Sequence, residues 1–306
     1  MKIYETLAPS PCRTAVALGS FDGLHIGHRA VIGQALGEPG LAPTVFTFAE
    51  NPLRDLCGSA GGALMTREQK VRLLCAWGVE QLYLLPFSSV MGLTAEQFVA
   101  DVLAGVCRAE KACCGFNFTF GAGGRADSAA LTRLCAESGI RTAVQPPVLA
   151  GGEPVSSTRI RALVQAGRVD EAAVLLGHAY GYLGPVLHGK QLGRTLGTPT
   201  LNQAVPAGFA LPKFGVYASV AHLGAGRFCG VTNVGVRPTV DGRGVTAETW
   251  MPAYDGPEIY GQTVQVDLTR FLRPERKFGS VEELGAQIRR DGRESLRLFQ
   301  QAAQGR

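Results

Sequence analysis

The 306-residue sequence has no run of the roughly 18 to 20 consecutive apolar residues that a membrane helix requires. Its first residues also lack the basic stretch and the apolar stretch of a secretion signal. We therefore expect a cytoplasmic protein that does not contact a membrane. Hydrophobic residues make up 46% of the chain and charged residues 18%, a composition that excludes disordered and fibrous proteins.

The eight cysteines include no Cys-x-x-Cys pair, and the five histidines show no ligand spacing relative to them. A zinc site is therefore not expected. Free thiols are the default in a non-secreted chain of this size, so we predict that the cysteines pack as small apolar side chains.

Forty residues are glycine, an excess over ordinary usage, yet they have no three-residue period and form no long tract with proline. This distribution excludes collagen-like and low-complexity chains and assigns the glycines to turns and close ligand approaches. The net charge of +5 lies wholly after residue 180, because residues 1–180 contain 15 basic and 15 acidic residues. So small an excess favours phosphate-bearing ligands over nucleic acid, although a solvated basic surface explains it equally well.

The length predicts two domains, and the sequence texture changes near residue 180. Before that point apolar runs alternate with helical periodicities, which is typical of an α/β domain with a parallel sheet. The predicted strands are 14–18, 44–48, 81–85, 112–114 and 141–145. The predicted helices are 25–36, 66–77, 94–105, 128–138, 157–166 and 169–176.

Residues 181–306 form the second predicted domain, in which glycine and proline separate short β-rich runs. Such spacing indicates a small antiparallel β-barrel. The predicted strands are 182–187, 215–223, 227–235, 245–251 and 263–271. A closing helix is predicted over 280–303, broken near Gly292, with an apolar stripe of Leu284, Ile288, Leu296 and Phe299.

The strongest motif is GSFDGLHIGH, residues 19–28, which lies between a predicted strand and a predicted helix. A glycine-rich turn that enters a helix N-terminus offers backbone N–H groups to a phosphate. His25 and His28 lie three residues apart and add donors on one face, although they could also be a buried helix-cap pair. The candidate nucleotide-binding residues of the turn are Gly19, Ser20, Phe21, Asp22 and Gly23.

Two later segments offer further polar groups. Ser157 and Thr158 precede a predicted helix as N-cap hydroxyls, and Arg161 follows as a charge-assisted donor, although surface arginines behind an N-cap would look the same. In GFNFTFG, residues 115–121, alternating aromatic residues predict a strand that leads into a glycine-rich loop. Asn117 could there bond a planar ring or a ribose, or belong to a plain strand and turn.

The second domain has a candidate metal and nucleotide site. If residues 193–202 are extended, Thr200 and Asn202 face the same way and could share one Mg²⁺ ion, with Gly193, Gly197 and Pro199 in the nucleotide-binding loop. A second glycine-spaced polar turn follows at 232–239. Glu248 lies in an otherwise apolar strand pattern, where a carboxylate is either salt-bridged or a general base.

The His-Ile-Gly-His stretch resembles the signature of the adenylyl-transferring α/β superfamily. The order GSFDGLHIGH, GFNFTFG, SSTRIR resembles the FMN adenylyltransferase domain of prokaryotic FAD synthetases, which are bifunctional riboflavin kinase/FMN adenylyltransferases. GRTLGTPTLN, TNVGVRPT, IYGQ and FLRPERKF resemble the riboflavin kinase domain of the same family. The resemblance implies a Rossmann-like parallel-sheet nucleotidyltransferase domain, then a small antiparallel β-barrel with a terminal helix.

The resemblance also implies the chemistry: riboflavin and ATP give FMN, and FMN and a second ATP give FAD and pyrophosphate. His25, His28, Ser157, Thr158 and Arg161 would contact ATP phosphates. Asp22 and Asn117 would help to hold nucleotide or metal. Glu248 would be the kinase base, with Thr200 and Asn202 at Mg²⁺. The expected partners are riboflavin, FMN and ATP, with FMN and FAD as intermediate and product rather than prosthetic groups, in a monomer or weak homo-oligomer without nucleic acid.

Three positions depart from the family pattern. Asn51 stands where the family usually has a histidine, Thr198 where it has phenylalanine and Leu201 where it has alanine. We expect retained kinase activity with altered affinity. The alternatives are a monofunctional adenylyltransferase whose barrel binds flavin without turnover, and a flavin carrier. A class I tRNA synthetase is disfavoured because no anticodon-binding region follows.

Overall fold

The computed structural model describes residues 1–49, 61–188, 200–239 and 242–304. In this part the chain forms two compact units, one of residues 1–49 with Arg67–Ser157 and the other of Gly61–Thr66 with the described residues from Thr158 onward. The sequence predicts that the boundary between the two activities lies near residue 180, and this boundary stays a prediction.

The first unit contains a six-stranded sheet in which every pair of neighbouring strands is parallel. The strand order is β1-β4-β3-β2-β5-β6. The strands are β1 (Lys2–Tyr4), β2 (Thr14–Leu18), β3 (Ala42–Phe48), β4 (Gln81–Leu85), β5 (Ala109–Gly115) and β6 (Arg141–Gln145). A two-stranded hairpin follows, β7 (Leu149–Ala150) and β8 (Glu153–Pro154).

Helices connect these strands, as the sequence predicts. They are α1 (Ile26–Leu36), α2 (Arg67–Ala76), α3 (Ala95–Gln97, continued as a π-helix over Phe98–Val106) and α4 (Ser128–Glu137). Thr94 and Gln97 begin α3 with a capping box. The parallel α/β class of this unit is confirmed. Sequence reasoning missed β1, because three residues at a sheet edge are too few to show a periodicity.

The central strands are apolar because parallel strands are covered on both faces. Every residue of β2 and of β4 is buried. Val16, Leu18, Phe46 and Tyr83 pack in one apolar core with residues of α3, including Phe98. This core holds the carboxyl ends of β2 and β3 in place, where the loops that carry the predicted site begin.

The second unit contains two helices and a six-stranded antiparallel sheet. The helices are α5 (Ser157–Gln165), whose first residue belongs to the first unit, and α6 (Val169–Leu176). The strand order is β10-β13-β12-β11-β14-β9. The strands are β9 (Tyr180–Pro185), β10 (Thr200–Ala204), β11 (Gly215–Leu223), β12 (Gly226–Thr239), β13 (Gly242–Trp250) and β14 (Thr263–Arg273). Leu187, just after β9, bridges Asn202 of β10, so the two edge strands meet and the sheet curls into a partly closed barrel. The predicted barrel is confirmed.

The terminal helix α7 spans Val281–Gln304 without interruption, so the predicted break near Gly292 is wrong. Its buried residues are Gly285, Asp291, Gly292 and Ser295. The predicted stripe is also wrong, because Leu284, Ile288 and Phe299 are only partly buried and Leu296 is exposed. The helix instead buries small and polar residues, and these bond or pack against the barrel.

The cysteine prediction is correct in part. Among the described residues the cysteines are free, and five of them are buried: Cys107, Cys113, Cys114, Cys135 and Cys229. Cys12 and Cys75 are exposed. Cys57 lies outside the described residues.

Candidate active sites

The sheet of the first unit places two of the predicted motifs at one edge. β2 and β5 are adjacent and parallel, and the strand order reverses between them. Ligands of such sheets bind beyond the carboxyl ends of the strands at this switch point. The loop from Gly19 to His28 follows β2, and the turn that contains Asn117 follows β5.

The loop after β2 has an unusual backbone. Phe21 and Leu24 adopt positive φ angles of 46° and 43°, in the left-handed region that non-glycine residues rarely occupy. Both side chains are buried, which holds this conformation in place. Such local strain occurs at sites where the backbone is arranged for function.

His25 and His28 are joined by the start of α1. His25 Nδ1 accepts a hydrogen bond from the His28 backbone N–H at 3.2 Å, so His25 is the N-cap of the helix. The two rings stack with centroids 3.5 Å apart. Burial lowers the pKa of His28 well below its usual value, and the proximity of His25 and Lys70 lowers it further. His28 is therefore neutral at pH 7 in the free protein.

The tautomer of His25 follows from this cap. A neutral imidazole has one donor and one acceptor nitrogen, so a ring that accepts at Nδ1 carries its proton on Nε2. His28 Nδ1 is buried and has no hydrogen-bond partner within the described chain. His25 thus carries its ring proton on Nε2, and within the described residues His28 Nδ1 is an unsatisfied ring nitrogen beside the loop.

Lys70 of α2 is a site residue that sequence reasoning missed. Its ammonium donates to the backbone oxygens of Ser20 at 3.1 Å and Phe48 at 3.2 Å, which ties the ends of β2 and β3 together. Burial lowers the pKa of Lys70 to about 8, while nearby Asp22 opposes the shift. A lysine in a helical pattern looks like a surface residue, and only its burial reveals it.

The other predicted residues of the first site have different outcomes. Ser157 Oγ donates to the backbone oxygen of Asp22 at 2.9 Å, so these two residues do meet. Asn117 lies in a turn after β5 ends at Gly115, so the predicted strand through the aromatic residues is wrong. The Phe118 backbone N–H bonds the Gly115 oxygen, and Phe118 and Phe120 stack on each other in the core.

Two more predicted residues belong to the second unit. Thr158 is exposed, and Arg161 is buried with its Nε donating to the Gly62 oxygen at 2.7 Å. Their contact with ATP phosphates stays a prediction. Asn51, the departure from the family histidine, lies outside the described residues.

The barrel aligns three polar side chains across three strands. Asn202 of β10 pairs with Glu248 of β13, and Glu248 pairs with Asn233 of β12. Residues directly opposite in an antiparallel pair share one face, and their Cβ atoms are about 5 Å apart. All three side chains are partly exposed. We call Asn202, Glu248 and Asn233 the polar row.

Thr200 extends the polar row along β10, because residues two apart on a strand face the same side. The opposite face is packed. Thr232 Oγ1 lies 2.7 Å from Ser219 Oγ and 2.7 Å from Thr249 Oγ1, and all three hydroxyl residues are buried. Because one face of these strands is packed, the face that carries the polar row is the one open to ligands.

Leu201 belongs to the packed face. It is buried in the apolar core of the barrel. Thr198, with the predicted loop residues Gly193, Gly197 and Pro199, lies outside the described residues.

Thr200 and Asn202 fit a magnesium site by their chemistry. A hydroxyl and an amide carbonyl are hard oxygen ligands of the kind Mg²⁺ prefers together with substrate phosphates. Asn202 Nδ2 is directed to the Thr200 backbone oxygen at 3.4 Å, which leaves Oδ1 as its ligand atom. Within the described residues no group of three or more histidine, cysteine, aspartate or glutamate side chains could hold a metal.

Asn233 and Glu275 are two further residues of this region that sequence reasoning did not single out. Asn233 Nδ2 donates to Glu275 Oε1 at 2.9 Å, and Glu275 lies just beyond the end of β14. Both residues lie in motifs that the sequence shows, TNVGVRPT and FLRPERKF. Their contact depends on strand register, which the sequence does not reveal.

A switch-point loop with a histidine pair, followed by a barrel with a carboxylate between two amides, agrees with the two-site, nucleotide-using transferase that the sequence predicts. Two family models match the chain: FAD synthetase over residues 7–159 and riboflavin kinase over residues 176–299. The bifunctional riboflavin kinase/FMN adenylyltransferase of Bacillus subtilis is 33% identical over 97% of this chain and 96% of that protein. The bifunctional riboflavin kinase/FMN adenylyltransferase of Escherichia coli K12 is 36% identical over 90% of this chain and 90% of that protein.

The chain belongs to the bifunctional riboflavin kinase/FMN adenylyltransferase family. Since both halves match, the bifunctional interpretation is favoured over a monofunctional adenylyltransferase. The crystal structure of a macrolide-efflux protein from Streptococcus pneumoniae has the same fold, with a TM-score of 0.85 and 30% identity over 96% of this chain and 97% of that chain. In the described part of the present chain, no helix has the length and apolar character to cross a membrane.

Proposed function

We propose that this protein phosphorylates riboflavin with ATP to give FMN and then transfers AMP from a second ATP to FMN, giving FAD and pyrophosphate. Adenylylation is assigned to residues 1–180 and phosphorylation to residues 181–306. The observation that carries the proposal is the polar row, which places Glu248 between two amides on the open face of the barrel. The two family matches support the division.

In the kinase step Glu248 accepts the proton of the riboflavin 5′-hydroxyl. The hydroxyl oxygen then attacks the γ-phosphorus of ATP, the bond to the β-phosphate oxygen breaks, and ADP leaves. Thr200 and Asn202 would hold Mg²⁺, whose charge offsets that of the ATP phosphates when it is bound. Glu248 lies directly opposite Asn202, so base and metal ligand share one face.

In the adenylyl transfer a phosphate oxygen of FMN attacks the α-phosphorus of ATP, and pyrophosphate leaves. No proton needs to leave the attacking phosphate, so the protein's task is to orient the groups and stabilise charge. His25 provides its Nε2–H, and Lys70 provides positive charge beneath the loop. A bound triphosphate favours the protonated form of His28, because opposite charge raises the pKa of an imidazole.

The test uses two variants and separates the products by chromatography. With riboflavin and ATP, His28→Ala should accumulate FMN and lower FAD output by roughly 100-fold, since it removes one charge-stabilising group. Glu248→Gln should lower FMN formation from riboflavin by roughly 100-fold or more, while FMN supplied directly still gives FAD. Equal loss of both products in His28→Ala, or loss of FAD formation from supplied FMN in Glu248→Gln, would show that the two sites are not separable in this way.

A second measurement tests the kinase assignment alone. Purified protein with riboflavin, ATP and Mg²⁺ should yield FMN. No FMN at any enzyme concentration would exclude kinase activity and leave the monofunctional alternative, in which Glu248→Gln is silent.

A further inference from the structure

We infer that Asn233 binds riboflavin in the kinase site through its side-chain oxygen, and that Glu275 is a positioning residue that holds the Asn233 amide in one orientation. The inference rests on the proposed kinase function, because it takes the polar row as the site of phosphoryl transfer. It adds two residues to that site and assigns one of them to a particular part of the substrate.

The first step is the orientation of the Asn233 amide. Its Nδ2 donates to Glu275 Oε1 at 2.9 Å. An ionised carboxylate only accepts hydrogen bonds, so the amide nitrogen must face Glu275 and the amide oxygen must face away. The flipped amide would place two acceptor oxygens against each other. Glu275 thus decides which end of the Asn233 amide meets a ligand.

The second step is the state of the Asn233 oxygen. Asn233 Oδ1 is buried and has no hydrogen-bond partner within the described residues. A buried acceptor without a donor costs free energy, which a bound ligand that supplies the donor would recover. Glu248 lies directly opposite on β13, so such a donor would be close to the proposed base.

The third step is the identity of the donor. The phosphates of ATP near the reacting centre present acceptor oxygens and no donors. The ribityl chain of riboflavin, by contrast, has several hydroxyl groups beside the one that is phosphorylated. A hydroxyl adjacent to the reacting one, held between Asn233 and Glu248, therefore fits the unpartnered oxygen.

The structure also shows how Glu275 is kept in place. Two residues earlier in the chain, Arg273 donates to Asp291 Oδ2 of α7, from Nε at 3.0 Å and from Nη2 at 2.8 Å. This ion pair is largely buried. On the other side, a Cβ atom at position 235 would lie 2.5 Å from Glu275 Oε1, so Gly235 allows the carboxylate to approach β12. The polar face of α7 thus anchors the segment that carries Glu275.

The principal test is Asn233→Ala, measured in the full-length protein. We expect the KM for riboflavin in FMN formation to rise roughly tenfold, with a smaller change in kcat, because a buried hydrogen bond to substrate is lost. Lumiflavin, which has the flavin ring without the ribityl chain, should inhibit the variant as strongly as the wild type. FAD formation from supplied FMN should be unchanged.

Glu275→Gln tests the positioning role with the shape retained. A glutamine can donate as well as accept, so the Asn233 amide loses its fixed orientation, and the riboflavin KM should rise severalfold without a change in Tm. Glu294→Gln is the matched control. Glu294 forms an exposed ion pair with Arg297 within α7, so this variant should leave the riboflavin KM unchanged. In the double variant Asn233→Ala/Glu275→Gln, the effect should not exceed that of Asn233→Ala alone.

Several outcomes would overturn the inference. An unchanged riboflavin KM in both single variants, with Glu248→Gln inactive, would remove Asn233 from the site and leave the proposed kinase function intact. A raised Mg²⁺ requirement with an unchanged riboflavin KM would make Asn233 a metal ligand instead. Additive effects in the double variant would exclude action of Glu275 through Asn233. Full FMN formation by Glu248→Gln would instead refute the role of Glu248 as the base, and absence of FMN formation by the wild type would refute the proposed kinase function itself.

Discussion

At the scale of single residues, burial rather than residue type sets the chemistry of the proposed adenylyl-transfer site. His28 stays neutral because charge on its ring is opposed by burial, by His25 and by Lys70. Lys70 keeps a proton near neutral pH although burial lowers its pKa to about 8. A site so arranged in the free protein is poised to accept negative charge.

Lys70 yields a pH prediction for adenylyl transfer. Lys70 is protonated below about pH 8 and neutral above it, so its attraction for phosphate is present at low pH and lost as pH rises. The kcat/KM for ATP, with FMN as the second substrate, should therefore fall as pH passes about 8, since this ratio reports groups of the free enzyme.

The Lys70→Met variant is the control for that profile. Its kcat/KM should be low at pH 7 and should not show the decline near pH 8, while riboflavin phosphorylation keeps its wild-type profile. The same alkaline decline in Lys70→Met would assign the titration to another group.

At the scale of elements, α7 shows why an apolar stripe did not identify the buried face. The helix packs through Gly292 on the ring of Trp250 and through Ser295, whose hydroxyl donates to the Gly230 oxygen at 2.6 Å. Asp291 is buried because it pairs with Arg273. Close approach and hydrogen bonding, rather than apolar area, decide which face is covered.

Two glycine substitutions in α7 should have opposite effects on stability. A Cβ at Gly292 would lie 2.6 Å from Trp250 Cζ3, so Gly292→Ala should lower the free energy of unfolding by about 1 to 3 kcal/mol through overpacking. At Gly285 the nearest atom is the flexible Arg289 Nη1 at 3.4 Å, so Gly285→Ala should raise it by up to about 1 kcal/mol through helix propensity. Urea denaturation followed by circular dichroism measures both, and changes of the same sign would contradict this packing.

At the scale of the whole molecule, the two proposed activities use separate residues, with FMN as the product of one and the substrate of the other. Family members match this chain over 90% or more of its length, so one chain contains the regions for both proposed activities. Whether FMN passes through solution between them is open to a direct experiment.

A mixture of two inactive variants should restore FAD synthesis from riboflavin. Glu248→Gln alone lacks FMN, and His28→Ala alone cannot adenylylate it, but together the released FMN reaches the intact site of the other protein. FAD should appear after a lag that shortens as protein concentration rises. Absence of FAD, with each remaining activity intact, would mean that FMN is not released between the steps.

The sequence predicted the α/β first unit and the barrel for a physical reason. Buried parallel strands must be continuous apolar runs, as 14–18 and 81–85 are, and phosphate loops need glycine at set positions. These are local properties, so they can be read along the chain. The turn at Asn117 was mistaken for a strand because alternating aromatic residues look the same in both.

Only the tertiary structure decided that Lys70 is buried under the loop, that Asn233 lies opposite Glu248, and that Glu275 holds the Asn233 amide. Each depends on the register of strands or the packing of a helix, and these are set by contacts between residues far apart in the chain. The sequence by itself thus determined which chemical groups this protein has. Packing determined which of them meet.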